Sequence, residues 1–423
     1  MSNESDNSLP LETRRDIADA SAWWAVDAVL LRFLEDFIDA ELKILRPGTW
    51  SYGIASPWHL ALDFRRDLGV DSLELFTIAS SLAEALHLSE SGIEDYLLAR
   101  QTLADWAEIA QTSLRQYSQR ITFRTSGSTG KPKSCTHALE TLEQEITELV
   151  PHFADCTRIV SAVPSHHIYG FLFTVLLPRR LNIAEMPVLN VRRSSPASLR
   201  VLHAGDLVVG HPEFWRNVAR VAIRIPSGVS GVTSTGPLPD GISGELTKLG
   251  LTRLLQVYGS SESAGIGWRD NERRGYRLFS YWQRLGADSI IRSLPDGQRG
   301  RSTVQDHLEW LSNDEFLPLA RIDLAVQVGG VNVYPAHVRD VLLKHPQVAD
   351  VAVRLMSADE GNRLKAFIVA KGDDVELLQL RVEIDAWAVR HLSTAEIPRA
   401  LSFGNALPRD DQGKLVDWVI DGR

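Results

Sequence analysis

Apolar positions recur at helical spacing over residues 23–45, where Val26, Leu30, Phe33, Phe37 and Ile44 fall on one face. Arg46-Pro47-Gly48 ends that helix. A second helix is predicted to begin at Ser72, with Leu73, Phe76, Leu82 and Leu86 as its apolar face. A third covers 101–110. The pattern then shortens: Ile121-Thr122-Phe123 reads as a strand, 137–150 as an amphipathic helix, and 158–163 as another strand. The most apolar window, 168–178, is too short to span a bilayer and reads as a core strand or helix. Near the end, 348–356 and 365–369 read as strands and 375–392 as a helix.

Between the strand at 121–123 and the helix at 137–150 lies Thr125-Ser126-Gly127-Ser128-Thr129-Gly130-Lys131-Pro132-Lys133. Glycines let backbone N–H groups approach phosphate oxygens, hydroxyls add donors, and lysines offset negative charge. The loop suits a polyphosphate. It is not a Walker A motif, because two residues separate Gly127 from Gly130 and Pro132 follows Lys131. Taken alone, it also reads as a solvated turn.

A chain of 423 residues implies two to four domains. Its net charge of −9 argues against general nucleic-acid binding. The charge is uneven: 63–110 holds ten acidic residues against three arginines, as a separate acidic module would. The polar N-terminus lacks an apolar leader, and the two cysteines, Cys135 and Cys156, form neither a disulfide framework nor a metal spacing. These features point to the cytoplasm, with no membrane span.

Further groups follow the loop in order. They are Pro164-Ser165-His166-His167-Ile168-Tyr169-Gly170, then Ser234-Thr235-Gly236-Pro237, then Tyr258-Gly259-Ser260-Ser261-Glu262. Arg321-Ile322-Asp323 comes next, then a Gly329-Gly330 turn, and finally Pro408-Arg409-Asp410-Asp411-Gln412-Gly413-Lys414. Asp306 lies fifteen residues before Arg321. In this order the motifs from 121 onward resemble the adenylate-forming superfamily of acyl-CoA synthetases, peptide-synthetase adenylation domains and luciferases.

The resemblance implies ATP-dependent activation of a carboxylic acid as acyl-AMP, followed by transfer to a thiol. It assigns Thr125, Ser126, Gly127, Ser128, Thr129, Gly130 and Lys131 to the β- and γ-phosphates, and Glu262 to Mg²⁺. Ser261 meets the α-phosphate, Tyr258 stacks on adenine, and Ser234, Thr235 and Gly236 line the opposite wall. Asp306 and Arg321 hold the ribose, His167 gates the acyl pocket, and Lys414 bridges the carboxylate and the α-phosphate. Asp323 is the hinge of a mobile lid. The stretch His167-Ile168-Tyr169-Gly170 resembles aryl and hydroxycinnamyl ligases, which leans the acid towards an aromatic or hydroxyaromatic one.

The N-terminal part resembles an acyl carrier protein through Asp67-Leu68-Gly69-Val70-Asp71-Ser72-Leu73 and Thr102-Leu103-Ala104-Asp105-Trp106. That implies phosphopantetheine on Ser72, although Asp71 or Ser72 also suits a helix N-cap. The expected architecture is multidomain: an all-α four-helix carrier-like domain (21–112), a truncated α/β large adenylating domain (113–322), and a small α+β C-terminal lid (323–423). The thiol acceptor is then CoA or a carrier protein, in cis or in trans, and a partner subunit is a further expectation, to complete the shortened domain. Two alternatives stand beside this reading. One is a freestanding acyl-CoA synthetase with a docking-only N-terminal domain, the other a non-catalytic nucleotide-binding scaffold. Gln327, His337 and Asp417 depart from the superfamily's usual residues in the lid.

Overall fold

The computed structural model describes residues 22–46, 49–50, 57–125, 133–183, 187–192, 194–270, 272, 274–322, 325–357, 360–372, 376–409 and 415–420. Strands β1 (Arg120–Thr125) and β2 (Lys133–Ala138) form an antiparallel hairpin. The central sheet follows: β3 (Arg158–Ser161), β4 (Leu189–Asn190), β5 (Asp206–Gly210), β6 (Ser230–Thr233), β7 (Arg253–Ser260), β8 (Ala264–Arg269) and β9 (Tyr276–Leu278). A side sheet of β10 (Trp282–Arg284), β11 (Ser289–Ser293) and β12 (Arg299–Thr303) precedes β13 (Asp306–Trp310) and β14 (Glu315–Arg321), which rejoin the central sheet. Its order is β4-β3-β5-β6-β7-β8-β9-β14-β13, parallel through β7 and antiparallel beyond.

The parallel strands read as unbroken apolar runs because both their faces are covered. Leu207 and Val209 of β5 enter one core, and Val208 between them enters another with Trp215 and Leu254. The first of these cores also takes in the N-terminal helices. Trp23, Phe33 and Phe37 belong to it, and so do Leu75, Leu82, Trp106 and Leu114. Phe171 receives Trp23 edge-on at 5.1 Å and Phe33 at 6.0 Å.

The expected domain boundary at 112/113 is therefore not a boundary of packing. The helices Asp27–Leu45, Ser72–Leu86 and Leu103–Gln116 are built onto the sheet rather than set beside it. Two expected faces also change. Ile44 is exposed, and in Ser72–Leu86 the buried stripe is Leu75, Ile78, Ala79, Leu82, Ala85 and Leu86. Leu73 is 75% and Phe76 is 56% exposed. The true stripe repeats at three- and four-residue steps from Leu75, one step out of register with Leu73 and Phe76.

The window 168–178 folds as helix: Ile168–Phe171, a π turn over Leu172–Leu176, then Leu177–Arg180. The C-terminal part has its own core, running from Val328 to Leu401. It opens with the hairpin β15 (Val326–Val328) and β16 (Val331–Val333). The sheet of β17 (Val348–Leu355), β18 (Leu364–Ala370) and β19 (Ala400–Gly404) follows, with helices Pro335–Leu342 and Leu377–His391. At Asp417, the departure noted in the sequence has a local use: its carboxylate lies 3.1 Å from the buried Lys365 Nζ, which Glu360 also holds at 3.0 Å. No helix of the described residues is long and apolar enough to cross a membrane.

Candidate functional site

Thr125 and Lys133 pair across the β1–β2 hairpin, so the residues that flank the expected phosphate loop lie side by side. Ser126, Gly127, Ser128, Thr129, Gly130 and Lys131 lie outside the described residues, as do Asp323 and Lys414. What fixes the loop's stem is visible. Arg124 donates to Glu41 Oε1 at 3.1 Å and to Ser81 Oγ at 2.9 Å, one from each of two N-terminal helices. At the other end Lys133 Nζ lies 3.1 Å from Glu262 Oε1. Burial works to raise the Glu262 carboxyl, but the Lys133 ammonium and a backbone N–H hold it below its ordinary range. Glu262 is thus an anionic oxygen donor beside the phosphate loop, suited to Mg²⁺, which favours one or two carboxylates plus phosphate oxygens.

The wall expected to face the nucleotide forms where β6 and β7 end. Ser234 Oγ donates to the Val257 carbonyl at 2.8 Å. Thr235 adopts φ +78°, and its Oγ1 is buried with no partner among the described residues. Such an atom calls for a ligand's hydrogen bond. Gly236 faces the Gln327 side chain, and Gly330 (φ +83°) approaches so closely that a Cβ there would lie 2.9 Å from Thr235 Oγ1. The β15–β16 hairpin of the C-terminal part therefore closes on this wall.

Opposite, Tyr258 Oη donates to Asp306 Oδ2 at 2.5 Å, and Tyr258 meets Phe316 edge-on at 5.2 Å. Asp306 pairs with Arg321 across β13 and β14, so the fifteen-residue spacing brings the two backbones side by side. Ser261 lines the cavity, and its carbonyl accepts from His137 Nε2 at 2.7 Å. An orphaned hydroxyl, a placed tyrosine–aspartate pair and an exposed anionic glutamate fit Mg-ATP.

The side expected to take the acid begins at His167, the N-cap of Ile168–Phe171, an exposed residue that lines the cavity. Lost hydration holds its pKa below the usual histidine range; Asp36 opposes this and Arg192 adds to it. Gly170 is obligatory, since a Cβ would sit 1.8 Å from the Pro164 carbonyl oxygen. Sequence reasoning missed what holds this loop. Asp36 Oδ2 accepts from Ser165 N at 2.7 Å and Ser165 Oγ at 2.6 Å, and Arg192 donates to Oδ1. Arg32 donates to Thr174 Oγ1 at 2.8 Å. The signal was present: Glu35, Asp36 and Asp39 are carboxylates inside an otherwise apolar helix face, and all three are buried.

One cavity of about 360 Å³ joins both sides. His211, Ser234, Thr235 and Ser261 line it, with Phe123, Val163, Tyr169, Leu172, Phe173 and Val257. Glu145 and Gly265 also face it, and no sequence argument had named them. Ser72 lies away from this cavity, exposed at the first turn of Ser72–Leu86, with Arg65 donating to its Oγ at 3.1 Å. Asp71, not Ser72, is the cap. Its Oδ1 accepts from Leu73 N and Glu74 N, both at 2.8 Å.

Two family patterns match the chain: AMP-binding enzyme over 121–280 and AMP-binding enzyme C-terminal domain over 337–414. A 4-coumarate–CoA ligase of Cereibacter sphaeroides is 39% identical over 86% of this chain and 87% of its own length. Another 4-coumarate–CoA ligase, from Halorhodospira halophila, is 37% identical over 91% of this chain and 98% of its own. Among solved structures, an amide bond synthetase of Marinactinospora thermotolerans superposes with TM-score 0.57 at 18% identity, covering 70% of this chain and 67% of the other. An o-succinylbenzoate–CoA synthetase of Bacillus subtilis gives 0.56 at 20%, with the same coverage. The chain belongs to the adenylate-forming superfamily of AMP-binding enzymes. Within that class it is an acid–thiol ligase, activating a carboxylic acid with ATP.

Because the Halorhodospira match leaves less than a tenth of this chain uncovered, more than half of the N-terminal helical segment falls within what the two share.

Proposed function

We propose that the chain adenylates an aromatic carboxylic acid bearing a ring hydroxyl and passes it to a phosphopantetheine thiol. The observation that carries this reading is the single cavity, in which the nucleotide wall runs directly into a slot lined by Phe123, Tyr169, Phe173 and Val257 behind His167. The aromatic side chains of that slot favour a flat aromatic acid. The relatives named 4-coumarate–CoA ligases point the same way.

The carboxylate oxygen attacks the α-phosphorus of ATP, an O–P bond forms, and pyrophosphate leaves. Lys131 and the loop hydroxyls hold the departing phosphates, and Glu262 would hold Mg²⁺, which when bound would offset their charge. Tyr258, Thr235 and Gly236 enclose the adenine, and Asp306 with Arg321 takes the ribose. Lys414, brought in by rotation about Asp323, stabilises the charge that grows at the α-phosphate. A thiolate then attacks the acyl carbon and AMP leaves.

CoA is the acceptor that the relatives' names support. A second acceptor, phosphopantetheine on Ser72, is favoured by one observation: Ser72 is exposed beside two uncovered apolar side chains, Leu73 and Phe76. Such a patch suits docking of a modifying enzyme.

The test is a panel of aromatic, short-chain and long-chain acids, with pyrophosphate release read with and without CoA. Turnover confined to non-aromatic acids overturns the substrate assignment. Intact mass after incubation with a phosphopantetheinyl transferase and CoA, for the wild type and Ser72→Ala, decides the acceptor. An adduct lost in Ser72→Ala supports the carrier role, and an unmodified wild type leaves CoA alone.

A further inference from the structure

One buried polar atom on the acid side takes no part in the adenylation chemistry. Glu145 lies on the helix Leu139–Leu149, in the same stripe as Leu142, Ile146 and Leu149, and is fully buried. Its Oε2 accepts the Gly265 N–H at 2.8 Å. Its Oε1 is buried and has no partner among the described residues. A buried carboxylate oxygen left without a donor is costly, and natural proteins keep few of them.

The surroundings place that oxygen at the cavity wall. Glu145 and Gly265 both line the cavity, alongside Phe123, Phe173 and Val257. A Cβ on Gly265 would lie 2.3 Å from Glu145 Oε1, so a larger residue there would displace the carboxylate from the wall. A ligand would satisfy the oxygen with a cationic donor, such as an ammonium, or with a neutral one, such as a hydroxyl. Arg292 decides between them. Its guanidinium sits over the Tyr281 and Trp282 rings at 4.4 and 5.3 Å, is bonded to Thr141 O and Gln144 Oε1, and acts electrostatically on Glu145. A second cation would meet that positive charge, whereas a neutral hydroxyl would not.

We infer that Glu145 Oε1 accepts a hydrogen bond from a hydroxyl on the ring of the acid, making Glu145 a specificity-determining residue for hydroxyaromatic acids. This inference rests on the aromatic-acid reading above. Burial pushes the Glu145 carboxyl up to about 7, and it keeps an acceptor oxygen in either protonation state.

The experiment compares kcat/KM for 4-hydroxycinnamate, cinnamate and 4-methoxycinnamate in the wild type, Glu145→Gln and Glu145→Leu, by pyrophosphate release. The wild type is expected to prefer the hydroxylated acid by about 100-fold or more, because a site built to bond a hydroxyl rejects acids lacking one. In Glu145→Leu that ratio collapses to within about threefold, chiefly through loss of the hydroxylated acid. Glu145→Gln keeps an acceptor for Gly265 N–H and offers a donor to the cavity, so it gains on the methoxy acid. A ratio of two acids within one preparation does not depend on how much of it is folded. Should the wild type turn over all three acids alike, the inference fails even if no variant folds. Unchanged selectivity in an active Glu145→Leu also overturns it. A wild type that adenylates no aromatic acid instead sinks the underlying substrate reading.

Discussion

Arg124 and Glu41 stand 83 positions apart, and the guanidinium reaches both carboxylate oxygens, at 3.1 and 3.2 Å. Arg124 is the residue before Thr125, where the phosphate loop begins, and Glu41 belongs to the first N-terminal helix. The helical segment thus holds the stem of the nucleotide site directly. Glu41→Ala frees that stem without removing any side chain that lines the cavity. The expected result is about a tenfold rise in KM for ATP, the scale of one lost charged hydrogen bond, with the KM for the acid little changed. An unaltered KM for ATP removes the helix from the site.

Asp36 does for the acid side what Glu41 does for the phosphate side. It is buried, it holds Ser165 through both N–H and hydroxyl, and it pairs with Arg192. Removing one partner of a buried pair leaves the other charge uncompensated, a loss of about 3–5 kcal/mol. Asp36→Ala should therefore lower the urea midpoint sharply, and Asp36→Asn, which keeps an acceptor for Ser165, should lower it less. Equal stability of Asp36→Ala and the wild type would falsify this account.

The fold was legible from 121 onward because the strand–loop–helix pattern there is local. The strands at 158, 348 and 364, and the helices at 139 and 377, fall where the apolar spacing puts them. The fifteen-residue interval between Asp306 and Arg321 was visible in the sequence, but the pairing of their backbones across β13 and β14 was not. The role of the N-terminal helices was not. Their sequence resembles a free-standing helical unit, and nothing local says that Trp23 and Phe33 will pack on Phe171. Long-range packing also explains Asp36 and Glu145. Each is a carboxylate inside an apolar stripe, a visible anomaly whose partners, Ser165 and Gly265, lie 129 and 120 positions away.

Lys414 carries the superfamily's adenylation role in the proposal above. Lys414→Ala should cost about 10²–10³-fold in the adenylation half-reaction, the scale for losing one donor aimed at developing charge. Thiolysis of a supplied acyl-AMP should survive, because the proposal above gives Lys414 no part in the attack of the thiol. Acid-dependent pyrophosphate exchange and CoA-dependent AMP release separate the two. Near-normal exchange in the variant argues that another group does this work.

The last prediction concerns Glu145 and pH. Burial raises its carboxyl from 4.5 to about 7 in the folded chain, against the lowering influence of Gly265 N–H and Arg292. A raised carboxyl means the native state binds its proton more tightly than the unfolded chain does. Its stability contribution is therefore fully present below about pH 4.5 and is lost as pH rises towards 7. The loss approaches 1.4 kcal/mol per pH unit at most inside that window. His167, held low by lost hydration, acts in the opposite direction over acid pH, so the wild-type curve alone does not isolate Glu145. The difference between Glu145→Gln and the wild type does. Urea unfolding at pH 5 and pH 8 should show the glutamine variant gaining on the wild type at the higher pH, by on the order of 2 kcal/mol. A difference that stays flat with pH, or that shrinks, means that Glu145 is ionised in the folded protein throughout and that its oxygen already has a donor.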